Sequence, residues 1–81
     1  MSREEIEKAV LAALAQVAPE VDPGSLRRDV PFRDQLDLDS MDFLRLVIAV
    51  HERVGVDIPE EDYPRLGSLA AFADYLAARV K

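Results

Sequence analysis

Three segments of this chain repeat their apolar residues with the period of an α-helix, and this pattern is the strongest constraint on the fold. In the first, residues 1–18, the apolar positions are Ile6, Ala9, Val10, Ala13, Leu14 and Val17. Positions three, four, seven and eight apart share one helical face, which predicts an amphipathic helix packed on a core. Ser2 and Glu5 have the spacing of a capping box at its start. Pro19 disfavours helix at Ala18 and predicts its end.

The second and the last segments follow the same rule. In residues 40–54 one apolar face holds Phe43, Leu46, Val47, Val50 and Val54, and an adjacent face holds Met41, Leu44 and Ile48. A helix with two apolar stripes is either deeply buried or has one stripe left for a partner. Gly55 is expected to end this helix. Ser68 is expected to cap the last helix, whose apolar face is Leu69, Phe72, Ala73, Leu76 and Val80.

The connecting segments are rich in proline. Residues 19–38 hold three prolines without a sustained period, which predicts a long ordered loop pinned by Leu26, Val30, Phe32, Leu36 and Leu38. Three acids follow Pro59, which predicts one turn of helix with Pro59 at its first position and Pro64 at its end. The predicted fold is therefore all-α: a small four-helix bundle of three main helices and one short helix, with a long loop between helices one and two. We expect residues 1–81 to form a single domain.

The composition excludes several classes of function. A formal net charge of −6 argues against sequence-independent binding to nucleic acid and to an anionic membrane surface. The absence of cysteine excludes a disulfide scaffold, a thiolate zinc site and a cysteine nucleophile. No apolar run approaches the roughly 20 residues of a membrane span, and the acidic start is unlike a signal peptide. We therefore expect a cytoplasmic monomer that binds neither nucleic acid nor membrane.

An acidic cluster lies in the middle of the chain but does not match a metal-binding motif. Residues 31–62 hold nine acidic and three basic residues. Asp37 begins a pattern similar to a calcium-binding loop, which requires glycine at its sixth position and glutamate at its twelfth. Those positions are Asp42 and Ile48 in this chain, so no metal site is expected.

A self-contained hydrolytic site is also excluded. Ser40 is the most attractive hydroxyl, and His51 is the one imidazole of the sequence. On a single helix they lie about 16 Å apart along the axis, because each residue advances the helix by about 1.5 Å. A general base must reach its proton at hydrogen-bond distance. We therefore expect no catalytic residue in this chain.

Ser40 lies where the long loop meets the second helix, within Leu38-Asp39-Ser40-Met41-Asp42. Downstream, the chain reads Val56-Asp57-Ile58-Pro59-Glu60-Glu61, and its last helix contains Ala73-Asp74-Tyr75-Leu76. Together with the length and the acidity, these features resemble the acyl carrier protein family and its peptidyl and aryl carrier relatives. Those proteins have Asp-Ser-Leu or Asp-Ser-Met at the start of helix two and Ile-Pro before the short third helix. The resemblance covers nearly the whole chain.

This resemblance implies a carrier that catalyses nothing itself. Ser40 would be the attachment point of 4′-phosphopantetheine, which a phosphopantetheinyl transferase of the holo-acyl-carrier-protein synthase type takes from coenzyme A. Acyl or aminoacyl groups would then travel as thioesters between the loading enzymes and the downstream enzymes of a fatty-acid, polyketide or specialised pathway. Asp39 would cap the helix or also assist the transferase. Without the resemblance, Ser40 is simply a candidate helix cap.

The resemblance also implies a partner surface on the second helix, formed by Met41, Asp42, Leu44, Arg45, Ile48 and Glu52. Met41 either contacts partners or fills the core. Arg45 stands where fatty-acid carriers usually have acids, and it either pairs with Asp42 or alters partner specificity. Asp37 replaces a glycine that is frequent in the family. Two alternatives stay open: an unmodified carrier-like interaction module, and a peptidyl or aminoacyl carrier of a nonribosomal-peptide-type pathway.

Overall fold

A computed structural model describes residues 1–80 and shows helices joined by turns. The α-helices are α1 (Arg3–Val17), α2 (Phe32–Gln35), α3 (Ser40–Val54) and α4 (Leu69–Ala77). Two further segments are 3₁₀: a turn at Pro23–Ser25 and a longer one at Glu60–Leu66, which we call the 3₁₀ helix. The described residues contain no strand. The all-α bundle with three main helices and one short helix is confirmed.

The core lies between α1, α3 and α4, where each helix buries the apolar face that its periodicity predicted. Its largest fully buried side chains are Phe72, Ile6, Leu14, Leu46, Leu66, Leu76, Val10 and Val50. No buried side-chain nitrogen or oxygen among residues 1–80 lacks a hydrogen-bond partner. Also within these residues, no helix is both long and apolar enough to cross a bilayer.

Local capping signals set the ends of the main helices. The Ser2 hydroxyl accepts from the Glu5 amide at 3.1 Å, and the Ser2 amide donates to Glu5 Oε1 at 3.0 Å, which completes the expected capping box. Ser68 caps α4 by accepting from the Ala71 amide at 3.1 Å. Gly55 ends α3 with a φ of 71°, a left-handed conformation that glycine adopts without steric cost.

The segment between α1 and α3 is more structured than the long loop that was predicted. It contains the 3₁₀ turn and the four-residue α2, both too short to show a hydrophobic period. Phe32 is buried, and its amide donates to the Gly67 carbonyl at 2.8 Å, which fixes α2 against the start of α4. The Gln35 side chain holds the loop from within, because Oε1 accepts from the Arg27 amide and Nε2 donates to the Val30 carbonyl, each at 2.9 Å.

Both prolines of the 3₁₀ helix lie elsewhere than predicted. Pro59 precedes its first residue, and Pro64 lies inside it and does not end it. Proline fixes φ near −65° and removes one N–H donor. That φ suits a 3₁₀ helix, so the segment loses one hydrogen bond and continues to the fully buried Leu66. A smaller correction concerns α4, which ends at Ala77, so that the half-buried Val80 lies beyond it.

Candidate functional site

Ser40 is the first residue of α3, and its side chain is exposed. The helix is capped by Asp39, whose Oδ1 accepts from the Asp42 amide at 2.8 Å. The interpretation of Ser40 as merely the cap is therefore wrong. Its hydroxyl makes no hydrogen bond to any described residue.

The start of α3 is suited to an anion on that hydroxyl. The first four amides of a helix have no intrahelical acceptor, and the helix dipole places partial positive charge there. The side chain of the cap residue Asp39 accepts from one of these amides, that of Asp42, and the first regular helical bond runs from the Phe43 amide to the Asp39 carbonyl at 3.0 Å. The amides of Ser40 and Met41 remain for an anion, which is the arrangement of phosphate sites at helix N-termini.

Asp37 does not strain the loop before Ser40, although the family often has glycine there. Among the described residues, Gly55 is the only one with a positive φ. Asp37 therefore adopts an ordinary backbone conformation, in which glycine's freedom is not needed. The replacement of glycine by Asp37 therefore causes no left-handed backbone strain.

An apolar stripe runs along the exposed side of α3 from the residue next to Ser40. Met41, Leu44 and Ile48 are 58%, 37% and 48% exposed. They follow one another at helical spacing, so they form one surface. The alternative that Met41 fills the core is wrong. Their exposure agrees with a docking surface, whereas the docking itself stays a prediction.

The charged residues beside this stripe are placed differently from one another. Arg45 and Glu52 are exposed, and Asp42 is half-buried. Arg45 forms no ion pair with Asp42 or with any other described residue, so the expected local pair is absent. Arg53, in contrast, donates to Gln16 Oε1 at 2.9 Å and ties the end of α3 to the end of α1. Arg45 is therefore the arginine of α3 whose side chain makes no ion pair or hydrogen bond with the described residues.

His51 takes part in the fold near the end of α3. Its Nδ1 lies 2.8 Å from the Val56 carbonyl oxygen and 3.5 Å from Asp57 Oδ1. It therefore supports the turn that follows Gly55. Both Ser40 and His51 lie on the single helix α3, at its opposite ends, so no nucleophile and base are brought together. Across residues 1–80 the structure also groups no set of side chains that could hold a metal ion.

Ser40 also lines a cleft of about 640 Å³ between the α2 region, α3 and the 3₁₀ helix. Phe43 and Leu38 contribute apolar surface, and Tyr63 and Pro64 contribute it from the 3₁₀ helix. The rings of Phe43 and Tyr63 pack edge to face with centroids 6.0 Å apart. Phe43 is half-buried: it packs against the core, as its place on the apolar face of α3 predicts, and it also lines this cleft.

A polar cluster behind the cleft was missed in the sequence. Tyr75 is 3% exposed, and its hydroxyl donates to Asp62 Oδ2 at 2.6 Å. Burial and then this hydrogen bond raise the pKa of Tyr75. The guanidinium carbons of Arg79 and Arg65 lie 3.7 Å and 5.2 Å from its ring centroid. The spacing of three residues after Phe72 was the available signal that Tyr75 faces the core.

The sequence of this chain is similar to that of known proteins over most of its length. A family model described as "Phosphopantetheine attachment site" covers residues 8–76. The chain is 31% identical over 72 residues to the acyl carrier protein of Tropheryma whipplei (strain Twist), over 85% of this chain and 88% of that protein. It is 32% identical over 80 residues to the acyl carrier protein of Acidothermus cellulolyticus, over 95% and 90%. It is 31% identical over 80 residues to that of Thermosynechococcus vestitus, over 99% and 98%.

Proposed function

The chain belongs to the acyl carrier protein family of phosphopantetheine-bearing carriers, and from this premise we propose that Ser40 is its attachment residue. Proteins of this family carry groups between enzymes and are not enzymes themselves. The arm supplies the thiol for thioester formation, which a sequence without cysteine does not contain. In the proposed function, one carrier domain presents acyl or aminoacyl groups to separate enzymes of a fatty-acid, polyketide or specialised pathway.

One observation carries the assignment of Ser40. The serine lies at the first position of α3 with an exposed hydroxyl, and Asp39 performs the capping that would otherwise occupy it. The other described serines serve the fold, since Ser2 and Ser68 cap helices and Ser25 donates to Asp22 Oδ2 at 2.9 Å. Among the described serines, Ser40 is therefore the one whose side chain is exposed and makes no hydrogen bond that supports the fold.

In this role Ser40 Oγ forms a bond to the phosphorus that bears pantetheine in coenzyme A. The diphosphate bond of coenzyme A breaks, the nucleotide half leaves, and the hydroxyl proton passes to the transferase. The resulting phosphodiester is a monoanion. The unpaired amides at the start of α3 stabilise that charge next to Ser40.

The proposed partner surface is the exposed side of α3, which we call the α3 face: Met41, Asp42, Leu44, Arg45, Ile48 and Glu52. Exposed apolar side chains with a charged border are typical of interaction sites. A transferase that modifies Ser40 must contact this face, because the face begins at Met41, the next residue. The unpaired Arg45 favours partners other than those of general fatty-acid synthesis, because a cation repels a basic docking patch.

Intact-protein mass spectrometry tests the assignment directly. Incubation with coenzyme A, Mg²⁺ and a broad-specificity transferase should add about 340 Da, the mass of the arm. Ser40→Ala should gain no mass, whereas the matched control Ser25→Ala should gain it fully. Absence of a mass gain with several transferases would instead favour an unmodified interaction module. The class of cargo can be identified from the intact mass of the chain isolated from the organism that produces it. The mass is measured before and after hydroxylamine cleaves the thioester.

A further inference from the structure

Two arginines line the same cleft as Ser40, one from α2 and one from the 3₁₀ helix. We propose that this cleft holds the phosphate end of the arm, with Arg33 and Arg65 paired to the phosphodiester on Ser40. This inference rests on the proposed modification of Ser40. It adds a folded-back position for the arm and names the side chains that hold it.

Both guanidinium groups have donors to spare. Arg33 is exposed and forms no ion pair with the described residues. Arg65 is 61% exposed along its side chain, and its nearest carboxylate oxygen is Asp62 Oδ1 at 4.0 Å. That distance is too long for a hydrogen bond. The stronger bond of Asp62 goes to the Tyr75 hydroxyl at 2.6 Å, so Arg65 is held in place without being neutralised at close range.

Two carboxylates, Asp29 and Asp39, also line the cleft. Neither forms an ion pair with Arg33 or Arg65 in the structure, and Asp39 already accepts the Asp42 amide. Both arginines are therefore left for a phosphodiester that is fixed covalently at the cleft. Arginine binds phosphate oxygens with paired, charge-assisted hydrogen bonds.

The size and the apolar walls of the cleft suit the next part of the arm. The volume of about 640 Å³ lies within the range of small-molecule sites, roughly 300–1,000 Å³. Close to the phosphate, pantetheine has a carbon with two methyl groups, and this apolar part can pack against Phe43, Leu38 and Tyr63. Because Ser40 itself lines the cleft, the first atoms of the arm need no path across solvent.

The test compares apo and holo protein by ¹H–¹⁵N NMR for wild type, the double variant Arg33→Gln/Arg65→Gln and the matched control Arg27→Gln. In wild type, attachment should shift the amide signals of Tyr63 and Ala71 across the cleft and sharpen the guanidinium signals of Arg33 and Arg65. Each exposed charge pair contributes a factor of about 1.5 to 5 to the equilibrium constant for docking. The double variant should therefore dock with an equilibrium constant about 2- to 25-fold lower and show smaller cross-cleft shifts. Wild type should also lose cross-cleft shift when salt rises from about 50 to about 500 mM.

The control Arg27→Gln replaces an exposed arginine that forms no ion pair with the described residues and does not line the cleft, so it should keep the wild-type shifts. Apo spectra of all three proteins should agree apart from the mutated positions, which establishes that each is folded; single variants replace the double one otherwise. Shifts confined to Ser40 and its chain neighbours, or equal in wild type and double variant, overturn the inference while the mass gain still supports attachment. A wild-type chain that gains no mass overturns both.

Discussion

Asp39 has a structural role and a proposed chemical role, and substitutions separate the two. Its Oδ1 accepts from the Asp42 amide at 2.8 Å and caps α3. Asp39→Ala removes that acceptor and should cost about 1 kcal/mol, the usual loss for an N-cap. In a domain of this size each 1 kcal/mol lowers Tm by roughly 4–8 °C. Thermal unfolding followed by far-ultraviolet circular dichroism should therefore show Asp39→Ala melting lower by that amount.

Asp39→Ser is the matched control, because a serine hydroxyl caps about as well as a carboxylate but carries no charge. Its stability should stay within a few tenths of a kcal/mol of wild type. If Asp39 also assists the transferase, kcat/KM for modification of Ser40 should fall about tenfold or more in both variants, which corresponds to about 1.4 kcal/mol.

The rates must be measured well below either Tm so that unfolding does not contribute. Equal modification of Asp39→Ser and wild type would restrict Asp39 to capping. An unchanged Tm for Asp39→Ala would contradict the capping reasoning itself, because the bond in the structure would then contribute nothing.

Other side chains predict independent effects. Tyr75→Phe removes the hydroxyl that donates to Asp62 and should lower the free energy of unfolding by about 1–2 kcal/mol. An unchanged Tm would show that this hydrogen bond does not contribute to stability. Burial raises the pKa of Tyr75, so its contribution is complete below its ordinary pKa of about 10 and disappears as pH rises through the folded value. The free energy of unfolding should therefore fall less steeply with rising pH in the alkaline range for Tyr75→Phe than for wild type. Identical slopes would show that the stability is not linked to the titration of Tyr75. Glu5 has a pKa lowered by its bond to the Ser2 amide, so its contribution is present above its ordinary pKa and is lost in acid. Glu5→Gln should flatten the acid limb of the Tm–pH curve, and parallel curves would contradict this. Arg45→Glu should raise kcat/KM with fatty-acid-synthesis enzymes, and unchanged kinetics would reject a role in excluding them.

The helix bounds were predictable because their signals are local. Ser2, Ser68 and Gly55 each satisfy or terminate backbone hydrogen bonds within one turn, so a few neighbouring residues determine the outcome. The apolar faces of α1, α3 and α4 were equally predictable from their period. The same period showed the stripe that begins at Met41 but left its burial open, because a helix with two apolar faces can be fully buried or half-exposed.

The cleft was not predictable, since its parts meet only through tertiary packing. Phe43 and Tyr63 come from different elements, and Tyr75 finds Asp62 across thirteen residues of sequence. The end of the 3₁₀ helix was wrongly predicted at Pro64, because proline in a sequence usually indicates the end of a helix. The buried Leu66 anchors this segment, which therefore tolerates the backbone hydrogen bond that Pro64 cannot donate. No pattern in the sequence signals that Arg33 shares a cleft with Ser40.

The two sides of the cleft differ in rigidity. One is α3, a full helix of 15 residues packed on α1. The other is the 3₁₀ helix, which packs on α4 and has Pro64 in its interior. Since 3₁₀ hydrogen bonds are geometrically poor, this segment should open locally at a fraction of the free energy of global unfolding. In the proposed function, the 3₁₀ helix would therefore be the wall that moves to admit a bulkier arm or cargo, while the α3 face would keep one shape for every partner enzyme.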